Sequence, residues 1–170
     1  MPLNKSNRQW LMAAALLLGS AQASAADLMP EARYSGITTG GSVATIYQIG
    51  TSNHTRVDQS GAGQRLAQGQ TGVRNQAVIS QSGVNNTAVA LQNGYANQLQ
   101  LEQSGAHNQA GVAQYGAGNQ ASVVQSGAYN QAFVGQYGTN NQANINQSGT
   151  GSTASVTQYG SNMNATVNQR

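Results

Sequence analysis

The sequence predicts an all-β fold, a two-sided, amyloid-like β-solenoid of stacked 22-residue strand–turn–strand repeats, about six rungs tall, over residues 44–170. Three observations predict it. A glutamine recurs every 11 residues through twelve rows, without one insertion or deletion. A glycine stands two residues after each of the first eleven of these glutamines. The residue that follows the glutamine differs between odd and even rows, so the repeating unit is a pair of rows.

Taken from the N-terminus, residues 1–25 read as a secretory signal peptide. Lys5 and Arg8 charge its start, an apolar stretch runs from Trp10 to Leu18, and small residues follow from Ala21 to Ala26. Ala23 and Ala25 place the expected cut before Ala26. The apolar stretch is about nine residues, short of the roughly 20 that span a bilayer. No other stretch is apolar enough to span one, so an exported and not membrane-integral protein is expected. Residues 26–43 fall outside the repeat.

The repeat then fills the chain. Its glutamines are Gln48, Gln59, Gln70, Gln81, Gln92, Gln103, Gln114, Gln125, Gln136, Gln147, Gln158 and Gln169. Its glycines are Gly50, Gly61, Gly72, Gly83, Gly94, Gly105, Gly116, Gly127, Gly138, Gly149 and Gly160. Five residues after the glutamine stands Asn53, Asn75, Asn86, Asn97, Asn108, Asn119, Asn130 or Asn141, with Gln64, Ser152 and Met163 as exceptions. Alanine usually lies four residues before the glutamine. An aliphatic residue lies two before it in ten of twelve rows, as at Ile46, Ile79, Val123 and Val167.

Each row thus reads N-x-A-x-V-x-Q-x-G. Asn, Ala, Val and Gln are two apart, so on a strand they share one face. The intervening positions vary and hold Arg56, Asp58 and Glu102, which marks a solvated face. Glycine and the small residues after it are expected to turn the chain, because glycine accepts positive φ without steric cost. A glycine in every row with β-branched neighbours argues against helix. Ser60, Ser82, Ser104, Ser126 and Ser148 follow the glutamine in one set of rows, and Tyr115, Tyr137 and Tyr159 in the other. Stacked rungs would lay like over like about 4.7–4.9 Å apart. Buried amides are costly unless paired, and a ladder of identical amides pairs each with its neighbours. The tyrosine column is expected to be an aromatic ladder that steadies the turns.

Composition agrees and excludes other classes. Only 6% of residues are charged and 5% aromatic, too few large apolar side chains for an ordinary core. There is no cysteine, so no disulfide framework is expected. After the predicted cut, Arg33, Arg56, Arg65, Arg74 and Arg170 face Asp27, Glu31, Asp58 and Glu102, leaving one net positive charge. That is no basis for nucleic-acid binding through counterion release, and low net charge favours self-association. Catalysis needs converging groups, yet Asp58 and Glu102 are four rows apart, so no enzyme is expected. His54 and His107 occupy different repeat positions without cysteine and read as solvated turn residues, not metal ligands. Calcium-binding repeats need aspartate in register, which is absent, and no cofactor is expected. Ice binding would call for aligned threonines, which here are scattered. A capped monomeric adhesin is the remaining rival. Against it, both array ends are expected to offer strands, since the last row stops one residue before Arg170 closes the sequence. Met163, between Asn162 and Asn164, is a place where the register could shift.

The run Gln114-Tyr115-Gly116-Ala117-Gly118-Asn119-Gln120-Ala121-Ser122-Val123-Val124-Gln125 resembles the repeat of the curlins, the subunits of bacterial curli, and the similarity extends over residues 44–170. The resemblance implies a structural subunit exported to the periplasm and secreted unfolded through an outer-membrane channel with accessory factors. It further implies assembly with itself and a partner curlin into surface fibres of a biofilm matrix that serve adhesion, with peripheral outer-membrane association. By the same resemblance, residues 26–43 would target the secretion channel. The ending Val167-Asn168-Gln169-Arg170 and the imperfect, arginine-bearing stretch from Thr55 to Asn75 look like the minor, nucleating subunit. The regular, charge-poor rows 99–169 look like the major one.

Overall fold

The computed structural model describes residues 41–170; the expected signal peptide and nearly all of the 26–43 segment lie outside the described residues. Twelve strands follow one another: β1 (Val43–Thr51), β2 (His54–Ala62), β3 (Arg65–Val73), β4 (Gln76–Val84), β5 (Thr87–Tyr95), β6 (Gln98–Ala106), β7 (Gln109–Ala117), β8 (Gln120–Ala128), β9 (Gln131–Thr139), β10 (Gln142–Thr150), β11 (Thr153–Ser161) and β12 (Asn164–Gln169). The first eleven rows each spend nine residues on a strand and two at a corner, and β12 has six strand residues.

Consecutive strands lie in opposite sheets. The odd strands form one six-stranded sheet in the order β1-β3-β5-β7-β9-β11, and the even strands form the other in the order β2-β4-β6-β8-β10-β12. All pairings are parallel and join residues 22 apart, as in Gln92↔Gln114 and Gln103↔Gln125. The array is therefore a β-solenoid of six two-strand rungs. The register holds to the end: Asn164 lies opposite Gln142 and Gln169 opposite Gln147, so Met163 introduces no shift.

Alternation places the core between the sheets. In β8, Ala121, Val123 and Gln125 are buried, and in β9 so are Ala132, Val134 and Gln136. The apolar core is thin, about half of it alanine; most strands add one larger aliphatic residue, but β5 has only Ala88 and Ala90, and β6 has both Leu99 and Leu101. The buried glutamines fill the rest of the section, which is possible because the repeat amides find partners along the stack; Gln59 Oε1 and Gln68 Nε2 are the exceptions among the described residues.

The corners differ in detail from the sequence expectation. The asparagines are not strand residues; each stands at the corner with its side chain turned inward, and those from Asn75 to Asn141 are fully buried. The repeat glycines, expected to open the turn, are still hydrogen-bonded within the strands, as the eighth of nine residues, with φ between +98° (Gly61) and +131° (Gly138). A second left-handed residue two positions later completes the reversal. Ser52, Arg74, Asn85, Ala96, His107, Tyr129, Asn140 and Asn162 hold it with φ near +54° to +59°. Gly63, Gly118 and Gly151 take it in other rows. A left-handed residue with a side chain costs on the order of 1 kcal/mol, which the flanking ladders must offset. Of the two histidines, His107 is such an exposed corner residue, whereas His54 opens β2 with its side chain in solvent.

Candidate assembly site

The glutamines predicted as a ladder form two columns, one per sheet. In the first, Gln48 Nε2 donates to Gln70 Oε1 at 2.6 Å, and the pattern repeats through Gln70→Gln92 (2.7 Å), Gln92→Gln114 (2.9 Å), Gln114→Gln136 (2.9 Å) and Gln136→Gln158 (2.9 Å). The second runs Gln59→Gln81 (2.7 Å), Gln81→Gln103 (2.8 Å), Gln103→Gln125 (2.8 Å), Gln125→Gln147 (2.9 Å) and Gln147→Gln169 (2.7 Å). The other amide hydrogen crosses the core to a backbone carbonyl 16 residues earlier, as in Gln114 Nε2 to Gln98 O at 2.9 Å. One side chain thus joins successive rungs and ties the two sheets together. The ladder has a direction: each rung donates toward the next one in sequence.

The asparagines form a second system whose side chains also reach the next rung, where they both donate and accept. Asn108 Nδ2 donates to Ser104 O (2.9 Å) in its own rung and to Gly127 O (3.1 Å) in the next, while its Oδ1 accepts from the backbone N–H of Asn130 (3.1 Å). The same arrangement holds at Asn75, Asn86, Asn97, Asn119 and Asn130. Gln64, an exception in the sequence pattern, works as a replacement: its Nε2 reaches Gly83 O at 2.8 Å and its Oε1 accepts from Asn86 N at 3.1 Å. Ser152 and Met163, the other exceptions, receive the asparagine below through their backbone N–H but offer no amide upward.

The glycines stack as a column of their own. A Cβ placed on Gly116 would collide with the carbonyl oxygen of Gly138, and the same holds at each repeat glycine from Gly50 to Gly138. Glycine is therefore required by close stacking as well as by φ. This cause lies between rungs, and the sequence spacing alone does not expose it.

The imperfect rows carry a compensating polar cluster. Thr55 occupies an alanine slot and Gln68 an aliphatic slot; Thr55 Oγ1 donates to Gln68 Oε1 at 3.0 Å and accepts from Gln48 Nε2 at 2.9 Å. Gln68 Nε2 and Gln59 Oε1 are buried without a hydrogen-bond partner among the described residues. Arg56 and Asp58 form an ion pair at 2.9 Å, exposed on both sides and worth little.

The outer face bears the predicted aromatic column. Tyr115 stacks on Tyr137 (centroids 5.2 Å apart) and Tyr137 on Tyr159 (4.8 Å), within the strands of one sheet. Two further stacks join corner or near-corner residues: His107 on Tyr129 at 4.9 Å, and Arg74 over Tyr95, with Arg74 Nη1 donating to Tyr95 Oη at 2.9 Å. Both are 22-residue neighbours or nearly so, and the period alone could have found them. Tyr137→Ala is expected to cost only about 1 kcal/mol, visible as a small loss of denaturant resistance with fibre formation retained.

Three overlapping stretches, 94–127, 117–149 and 138–170, match the curlin associated repeat. The matches support the curlin family. They run without a gap from within β5 through β12, where the glutamine, glycine and alanine columns are most regular. The imperfect rows before residue 94 lie outside them. No curated protein matches the chain.

Proposed function

We propose that this chain is a structural, non-enzymatic subunit of an extracellular curli-type amyloid fibre, and that it acts as the nucleating, minor subunit. The observation that carries the fibre reading is the pair of directional glutamine ladders, in which each rung presents to the next the same donors that it received from the one before. Such a stack is extended by an unfolded chain that docks on an end rung and folds there, its glutamines and asparagines joining existing columns. The repeat glutamines, asparagines and glycines are, in this reading, the assembly residues. Export by the signal peptide, passage through a secretion channel, association with the outer-membrane surface and a role in a biofilm matrix belong to the same proposal.

Support for the nucleating role comes from the arginine-bearing, polar rows from Thr55 to Asn75 and the ending Val167–Arg170, both of which resemble the minor curlin. The regular, charge-poor rows 99–169, from β6 through β12, favour the major subunit as the second reading. The test is dye-detected fibrillation of the mature chain, alone and with a partner curlin. Acceleration of the partner at substoichiometric amounts is expected. Rapid bulk self-assembly with no such acceleration would favour the major subunit. A monomer independent of concentration and lacking cross-β diffraction would overturn both.

A further inference from the structure

The two ends of the solenoid are not equivalent, and the difference lies in single side chains. Between interior rungs the asparagine corners supply a donor to the next glycine carbonyl and an acceptor to the next backbone N–H; Asn141, for example, reaches Gly160 O (2.9 Å) and Met163 N (3.1 Å). The last rung has Ser152 and Met163 in those two slots. Serine can keep the acceptor half, as Ser42 does when its Oγ takes Gln64 N–H at 3.1 Å. Methionine has no donor and only a weak thioether acceptor. The Met163 methyl instead lies over Gly160, 4.0 Å from where a Cβ would stand. In the rung below, the carbonyl oxygen of the next glycine fills the corresponding place.

The first rung shows the complementary condition. Every interior ladder Oε1 accepts from a glutamine 22 residues earlier, yet Gln59 Oε1 is buried with no partner among the described residues. The residues 22 positions before Gln48 and Gln59 are Ala26 and Ile37, which carry no amide. Among the described residues nothing supplies the missing donor, and the last rung of a stacked solenoid would place one there, as Gln103 does for Gln125 within the array. At the other end, Gln158 and Gln169 donate to the backbone carbonyls of Gln142 and Thr153 (both 3.0 Å), in the orientation that sends their second N–H onward.

We infer that the first rung, β1 and β2, receives the last rung of a different solenoid of the same repeat class, one with Asn or Gln in the slot that Met163 fills here. A second copy of this chain would restore the glutamine ladders but leave both corners without an amide, the Ser152 corner keeping an acceptor and the Met163 corner neither a donor nor a strong acceptor. This chain accordingly stands at one terminus of a stack, with β11 and β12 outward. The inference rests on the stacking reading proposed above and names the partner chemistry and the position within the stack.

The experiment compares elongation of wild-type seeds by wild-type monomer with elongation of M163N seeds by M163N monomer, at equal numbers of fibre ends. M163N seeds are expected to elongate faster by roughly tenfold, the order of effect of one satisfied buried hydrogen bond. M163Q serves if M163N does not form seeds, because Gln64 fills the same slot. M163A separates the amide from mere removal of the methyl and is expected to stay at the wild-type rate. Equal elongation from wild-type and amide-bearing seeds, or an equal gain from M163A, overturns the inference while fibre formation stands. Absence of cross-β fibres from every chain, with or without a partner curlin, overturns the stacking reading itself.

Discussion

Gly116→Ala is expected to abolish assembly. The residue sits near the end of β7 with φ +118°, and a Cβ there would overlap the Gly138 carbonyl of the next rung. Neither neighbour can yield, since both belong to backbone ladders continuous along the stack. Relief would require separating two rungs and breaking the hydrogen bonds of β7 with β9. The expected cost is roughly 4 kcal/mol or more, in the range reserved for a broken structural requirement. Gly151→Ala is the control. Its φ is +73°, and nothing lies within 4 Å of the added carbon, so only the left-handed penalty of about 1–2 kcal/mol applies. Fibrillation kinetics and solubilisation in denaturant should separate the two variants clearly. Equal behaviour would mean that the glycine columns do not stack as closely as described.

Gln114→Leu should have the next largest effect. The change removes three hydrogen bonds: from Gln92 Nε2 (2.9 Å), to Gln136 Oε1 (2.9 Å) and to Gln98 O (2.9 Å). The apolar replacement is not what costs most. The loss comes from the abandoned partners, because each buried group left unsatisfied costs about 1–3 kcal/mol. A total on the order of 3–6 kcal/mol is expected, read as slower fibre growth and lower denaturant resistance. Replacing Gln92, Gln114 and Gln136 together should cost less than the sum of the single changes, since bonds internal to the column leave in pairs. Gln169→Leu should cost less than Gln114→Leu, because Gln169 has a ladder partner on one side only, Gln147 at 2.7 Å. Strict additivity along the column would contradict the cooperative ladder.

The period was sufficient for much of this architecture. An 11-residue row with inward Ala, Val and Gln, and a serine or tyrosine that alternates between rows, leads to two sheets and a 22-residue register. Inward glutamines at constant spacing have no stable burial except over one another, so the ladder partners were also legible. The corner was less so. Arg74 and Tyr129 adopt left-handed backbone although nothing in their side chains favours it, because the corner geometry is imposed by the rungs on either side. Gln64, an irregularity in the sequence, reproduces the asparagine contacts with one more methylene, whereas Met163 cannot.

The sequence by itself determined the all-β repeat, the length of a rung, the inward and outward faces and the columns of like residues. All of these follow from the period and from the cost of burying an unpaired amide. Only the tertiary structure decided where the strands stop, that the repeat glycines serve the contact between rungs, and that both amide systems point from each rung to the next. Those features depend on distances between residues 19 to 22 positions apart, as in Asn108 Nδ2 to Gly127 O and Asn130 N to Asn108 Oδ1. Spacing can place two residues in neighbouring rungs. Which of them donates, and how close their backbones come, is set when the rungs pack.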